Sequence, residues 1–193
     1  MKNLLLCLLV FCLGFTGFSQ NSYEKKTVRI LPDSHLKITG DTNISKFKCD
    51  FNTARLERTS SVEYKVHENH IKFSNATLKL ENEGFDCGNK AINKDFHSLL
   101  KTDKYPQISL ELTEIHLYKE KSGKAYVTIT IAGNKKDYTL PVEISKKASA
   151  ANYAGTLKLD IRDFDLEPPK KMFGLIVIKD EIEIDFNLAV KFL

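Results

Sequence analysis

Two histidines, His67 and His70, stand three residues apart in "VHENHI" and are the first place to look for metal chemistry. Imidazole is a good ligand for zinc-type ions. These two flank Glu68-Asn69, a turn pair, so on a hairpin they need not converge. No cysteine or carboxylate completes a metal-ligand spacing with them, and solvated turn histidines are the expectation. Three carboxylates, Glu181, Glu183 and Asp185, alternate along one stretch. On a strand, neighbours of this kind lie about 6–7 Å apart, a separation that glycosidase pairs also show. Such pairs come from separate elements around a cleft, so this row reads as a wet outer face. Cys87 in "FDCGNK" precedes a helical stretch, where a thiolate can be activated. There is no Gly-x-Ser-x-Gly elbow and no glycine-rich phosphate loop. No catalytic set and no metal or cofactor site is expected, and the chain does not read as an enzyme.

What must be positioned is therefore not a reacting group but a surface or an interior. The first residues are set aside: Lys2, an apolar run from Leu4 to Phe15, then Gly17 and Ser19 read as a signal peptide over 1–19. The run is short for a spanning helix, and no other is long enough to cross a bilayer. Phe11 is bulky where a lipoprotein box before Cys12 needs a small residue. The expectation is an exported protein, in a bacterial periplasm, with one domain over 20–193. Removing Lys2 takes the formal charge from +4 to +3, too mild for a nucleic-acid binder. Cys49 and Cys87 then remain, and an oxidising compartment favours a bridge between them over two buried thiols.

The closing stretch "EIEIDFNLAVKF" sets the pattern. Ile182, Ile184, Phe186, Leu188, Val190 and Phe192 fall on alternate positions, the period of a strand with one dry face. The same alternation recurs through Leu36 and Ile38; Phe47, Cys49 and Phe51; Ile108, Leu110 and Leu112; Val127, Ile129 and Ile131; and Leu157, Leu159 and Ile161. Gly40-Asp41, Glu68-Asn69, Ser122-Gly123 and Gly133-Asn134 read as turns between strands. Short connections make successive strands antiparallel. One stretch breaks the period: Ile92, Phe96, Leu99 and Leu100 recur at helical spacing, with Asn89 or Asn93 as cap and Pro106 as stop. The sum is an all-β domain, a single antiparallel barrel with one short amphipathic helix against it or across one end. The Pro168-Pro169 connector forbids regular pairing. Its Met172 and Phe173 either pack back onto the domain or edge a mouth, beside Lys170-Lys171.

Three segments in order resemble the YceI-like family of bacterial lipid-binding barrels. "FDCGNKAINKDFHSLLKTDKYPQISLEL" is similar to the family's helix ending in Leu-Lys, then Tyr-Pro and a strand. "YVTITIAGNKKDYTLPVEI" is similar to its hairpin with Gly at the tip and Pro-Val in the return strand. "LDIRDFDLEPPKKMFGLIVIKDEIEIDFNLAV" is similar to its closing segment, except that Asp165 stands where the family often carries Gly. The resemblance implies an eight-stranded, lipocalin-like barrel whose interior binds a polyisoprenoid, an isoprenoid quinone or a similar long-chain amphiphile. An eight-stranded barrel is just wide enough to be filled by side chains or to hold one ligand. Alternation nominates Phe47, Ile108, Leu110, Ile129, Leu159, Ile184, Phe186 and Leu188 as lining residues. The alternative is a packed barrel acting through its surface as a protein-interaction or structural module.

Overall fold

The computed structural model describes residues 22–119, 121–168 and 177–193. The signal-peptide stretch, Lys170-Lys171, Met172 and Phe173 lie outside them. Among the described residues the strands are β1 (Glu24–Ile30), β2 (His35–Thr42), β3 (Lys46–Phe51), β4 (Thr59–His67), β5 (His70–Asn75), β6 (Thr77–Glu81), β7 (Phe85–Asp86), β8 (Gln107–Lys119), β9 (Ser122–Ile131), β10 (Asn134–Lys147), β11 (Ala150–Asp160) and β12 (Ile178–Phe192). One α-helix, α1 (Lys90–Leu99), separates β7 from β8.

All the strand pairs are antiparallel, and eight strands close a ring in the order β1-β4-β5-β8-β9-β10-β11-β12, with β12 returning to β1. The length of β12 is explained by its two partners on one edge. It pairs with β2 from Ile178 to Asn187 and with β1 from Val190 to Phe192. β8 is shared in the same way: β6 takes Gln107–Glu111 and β5 takes Glu114–His116. β2, β3 and β7 extend the wall at the end where α1 lies. Alternate side chains of these strands meet in one core that includes Ile38, Ile108, Ile129, Leu157 and Leu159.

Two expected turns are strand instead. Gly40 sits inside β2 opposite Phe47, whose ring occupies the space a Gly40 side chain would need. The chain reverses at Asn43–Ser45, where Thr42 Oγ1 accepts from Ser45 N at 2.9 Å and donates to Ser45 O at 2.7 Å. Ser122 and Gly123 belong to β9, where a β-carbon on Gly123 would come within 2.6 Å of the His116 carbonyl oxygen. A glycine is needed there for close approach rather than for reversal. The β9–β10 turn is Ala132-Gly133, both at positive φ. Glu68-Asn69 does join β4 to β5.

β10 and β11 pair only between Glu143–Lys147 and Ala150–Ala154. Below that they separate, and a 3-10 turn, Ile161–Phe164, wedges the gap with Phe164 fully buried. Asn134 Nδ2 donates to the Phe164 carbonyl at 2.7 Å, and Tyr138 Oη donates to Asp163 at 2.7 Å. Burial, then Asp163, pushes the Tyr138 hydroxyl well above its ordinary pKa. Asp165 follows at φ 53, a left-handed conformation that glycine takes most easily and aspartate tolerates.

α1 is capped by Asn89, whose side chain accepts from Ala91 N at 2.8 Å. Beyond its C-terminus the chain is held by Asn82, which is 1 % exposed. Asn82 Nδ2 donates to Thr102 Oγ1 at 3.1 Å and to the Tyr105 carbonyl at 2.8 Å, and its backbone N–H donates to the Pro106 carbonyl. Asn82→Ala strips a part-buried carbonyl of its donor but also removes a buried amide oxygen that has no partner, so it should cost about 1 kcal/mol in urea unfolding. A loss near zero would mean that this loop does not depend on the amide.

Candidate ligand cavity

The dry faces of the strands do not meet everywhere. Between α1 and the walls lies a cavity of about 440 Å³. Six of the residues nominated from alternation line it: Phe47, Ile108, Leu110, Ile129, Leu159 and Ile184. Phe186 and Leu188 sit farther along β12 and are not among its lining. Phe186 instead lies over Gly155, where a β-carbon would come to 3.0 Å from its ring. The helix adds Ile92, Phe96 and Leu99, the apolar side of its amphipathic repeat. Their periodicity was visible in the sequence, but their place in the lining depends on where the helix docks.

That docking is fixed by the residues before α1. Cys49 of β3 is bonded to Cys87, three residues ahead of the helix. Beside the bridge, Phe51, Phe85 and Phe96 pack in sequence, edge to face and then tilted, with centroids 4.9 Å and then 5.3 Å apart. Asn93 of the helix reaches back: its Oδ1 accepts from Cys87 N at 2.6 Å, and its Nδ2 donates to Asp86 Oδ1 at 3.0 Å. The Asn93 bond, then one from Gly88 N, holds the Asp86 carboxyl below the usual carboxylate range. With Asn82 securing the far side, the helix is a fixed floor to the cavity.

The polar lining residues are Thr42, Ser45, Asp95 and Lys179, from the β2–β3 turn, the outer part of α1 and the start of β12. They share this region with Ile44, which is 68 % exposed, and with Ile178. Thr42, Ser45 and Lys179 form a rim where β2 meets β12, while Asp95 stands on α1 and also borders a second pocket with Ser98, Lys101 and Glu167. The rim is tied together by Asn43 N to the Val177 carbonyl and Val177 N to Asn43 Oδ1, both 3.0 Å. Lys179 Nζ meets Asp41 at 2.7 Å, and that bond holds the Asp41 carboxyl below its usual range. Among the described residues the rest of the lining is aliphatic and aromatic, which suits an apolar chain.

The carboxylate row of β12 faces outward, as expected. Glu181 pairs with Lys158 at 3.3 Å and Asp185 accepts from Thr156 at 2.8 Å. His67 and His70, however, are direct partners across the β4–β5 hairpin and share one face. His70 also pairs with His116 of β8. No sequence spacing links His70 to His116; the sheet register does. Among the described residues no helix is long and apolar enough to cross a membrane.

The closed ring with a helix across one end also has known counterparts. BcnA of Burkholderia cenocepacia superposes with a TM-score of 0.64 at 16 % identity, over 81 % of this chain and 95 % of that one. A polyisoprenoid binding domain from Saccharophagus degradans, implicated in plant cell wall breakdown, gives 0.62 at 12 % identity, over 85 % and 97 %. The YceI protein of Campylobacter jejuni gives 0.52 at 16 % identity, over 92 % and 90 %. At these identities the likeness is one of fold. No curated protein matches in sequence. The model of the YceI-like domain matches residues 24–190, nearly every strand of the barrel, and the chain belongs to the YceI-like family.

Proposed function

We propose that this protein is an exported binding protein for a long-chain lipid: a polyisoprenoid, an isoprenoid quinone or a similar amphiphile. The chain lies in the cavity above α1 and the polar head stays at the Thr42, Ser45 and Lys179 rim. The observation that carries this reading is the apolar cavity, lined mostly by aliphatic and aromatic side chains, with Thr42, Ser45 and Lys179 among its few polar ones. Burying a methylene is worth about 0.8 kcal/mol, so a chain is held without a specific polar contact at depth. The polyisoprenoid-binding domain of Saccharophagus degradans, of similar fold, supports the choice of ligand class. Export and a mature chain starting at Gln20 belong to the same proposal.

Organic extraction of the protein purified from its native host, read by mass spectrometry, tests it. About one isoprenoid, quinone or acyl species per chain is expected, from a periplasmic fraction whose N-terminus reads Gln20. An empty extract, with no uptake of added polyprenyl lipid, would reject the carrier reading in favour of a surface-binding module.

A further inference from the structure

We propose that His70, Glu114 and His116 form a binding site for a zinc-type divalent metal ion on the outer face of the barrel. The site does not depend on the lipid proposal. Glu114 Oε1 lies 3.0 Å from His70 Nδ1 and 3.0 Å from His116 Nε2. The three ligand atoms all fall within 4.8 Å of one another. Ligands about 2.0–2.2 Å from a tetrahedral ion stand about 3.3 Å apart, so the ion enters with only small side-chain movement. It takes the place of the protons that the two imidazoles now share with the carboxylate. Two imidazoles and one carboxylate suit zinc or copper rather than calcium or magnesium.

The backbone brings these groups together through an irregularity. Ile108, Leu110 and Leu112 of β8 point inward, and unbroken alternation would carry Glu114 and His116 inward after them. A register shift against β9 between Leu112 and Glu114 reverses the order. Ile115 becomes core, 4 % exposed, while Glu114 and His116 turn to the outer face. Bulges commonly re-aim side chains in this way. His70 arrives as the register partner of His116, and Lys72 as that of Glu114.

The cluster is also pre-positioned. The His70 and His116 rings lie 4.0 Å apart, and the Tyr126 ring is 4.5 Å from His116. Tyr126 Oη is 3.3 Å from His116 Nδ1, the nitrogen that would not touch the metal. With the ion on Nε2, Nδ1 would carry the ring proton and could donate it to Tyr126 Oη, the usual outer-shell support of a metal histidine. The position left open faces solvent, with His67 next in the row across the hairpin.

The test is a zinc titration of untagged protein against a chromogenic chelator. One zinc per chain is expected. Loss of an outer-shell partner alone weakens metal sites by about 10–100-fold, so His116→Ala and Glu114→Gln should lose at least that, and Tyr126→Phe about tenfold. His35→Ala should bind like the parent. Absence of stoichiometric binding at sub-millimolar zinc, or unchanged affinity in His116→Ala, overturns the proposal. A second measurement needs no variant. Zinc should shield His70 and His116, but not His35, from diethyl pyrocarbonate when the labelled sites are mapped by mass spectrometry; equal labelling with and without zinc overturns it as well.

Discussion

Cys87→Ser should lower the free energy of unfolding by about 4 kcal/mol, the loss expected when a bridge spanning 38 residues is opened. The effect is large because of what the bridge joins. Cys49 is in a wall strand with no exposed surface, and Cys87 is the last anchor before α1. Opening the bridge restores chain entropy to the unfolded state. It also leaves the Phe51–Phe85–Phe96 contacts and Asn93 as the ties at the start of the helix, with Asn82 beyond its end. Urea unfolding of the parent with and without reductant checks this. The reduced parent and the variant should share one lowered midpoint, and the variant should be indifferent to reductant. A parent whose midpoint ignores reductant, although its thiols titrate as free, would show that the bridge contributes nothing.

Much of this arrangement was legible because amphipathic periods report burial directly. The dry alternation of β12, the helical spacing of Ile92, Phe96 and Leu99, and the Asn89 cap all follow from local residue order. Alternation tells which face is inward. It does not tell how far along the barrel a residue sits, so Phe186 and Leu188 share the face of Ile184 yet miss the cavity. Gly40-Asp41 resembled a turn because Phe47, which fills the glycine's space, comes from the next strand. The bulge in β8 leaves no compositional mark, since Thr113 is an ordinary strand residue. The His70–Glu114–His116 cluster was hidden because the bulge turns Glu114 and His116 outward and because His70 reaches them by pairing across 44 residues or more.

Leu110→Trp combined with Ile184→Trp should reduce lipid uptake by more than a hundredfold while leaving the barrel folded. The two residues line the cavity from β8 and β12, four strands apart in a ring of eight and so on opposing walls. Two indoles entering from opposite sides take up the space that a chain would occupy. Excluding four methylenes forfeits about 3 kcal/mol, already more than a hundredfold, and a barrier across the cavity excludes more than four. The added bulk enters existing space rather than a packed core, so the overpacking cost of about 1–3 kcal/mol should be largely avoided. Thermal unfolding of the ligand-free protein should then fall within a few degrees of the parent. Fluorescent polyprenyl binding separates the outcomes. Lost uptake with an unchanged melting point places the lipid between these walls. A sharp destabilisation would mean that the walls close on one another in solution and that the interior is core. Unchanged uptake in a folded variant would move the lipid to another surface, and the rim at Lys179 would lose its meaning as an entrance.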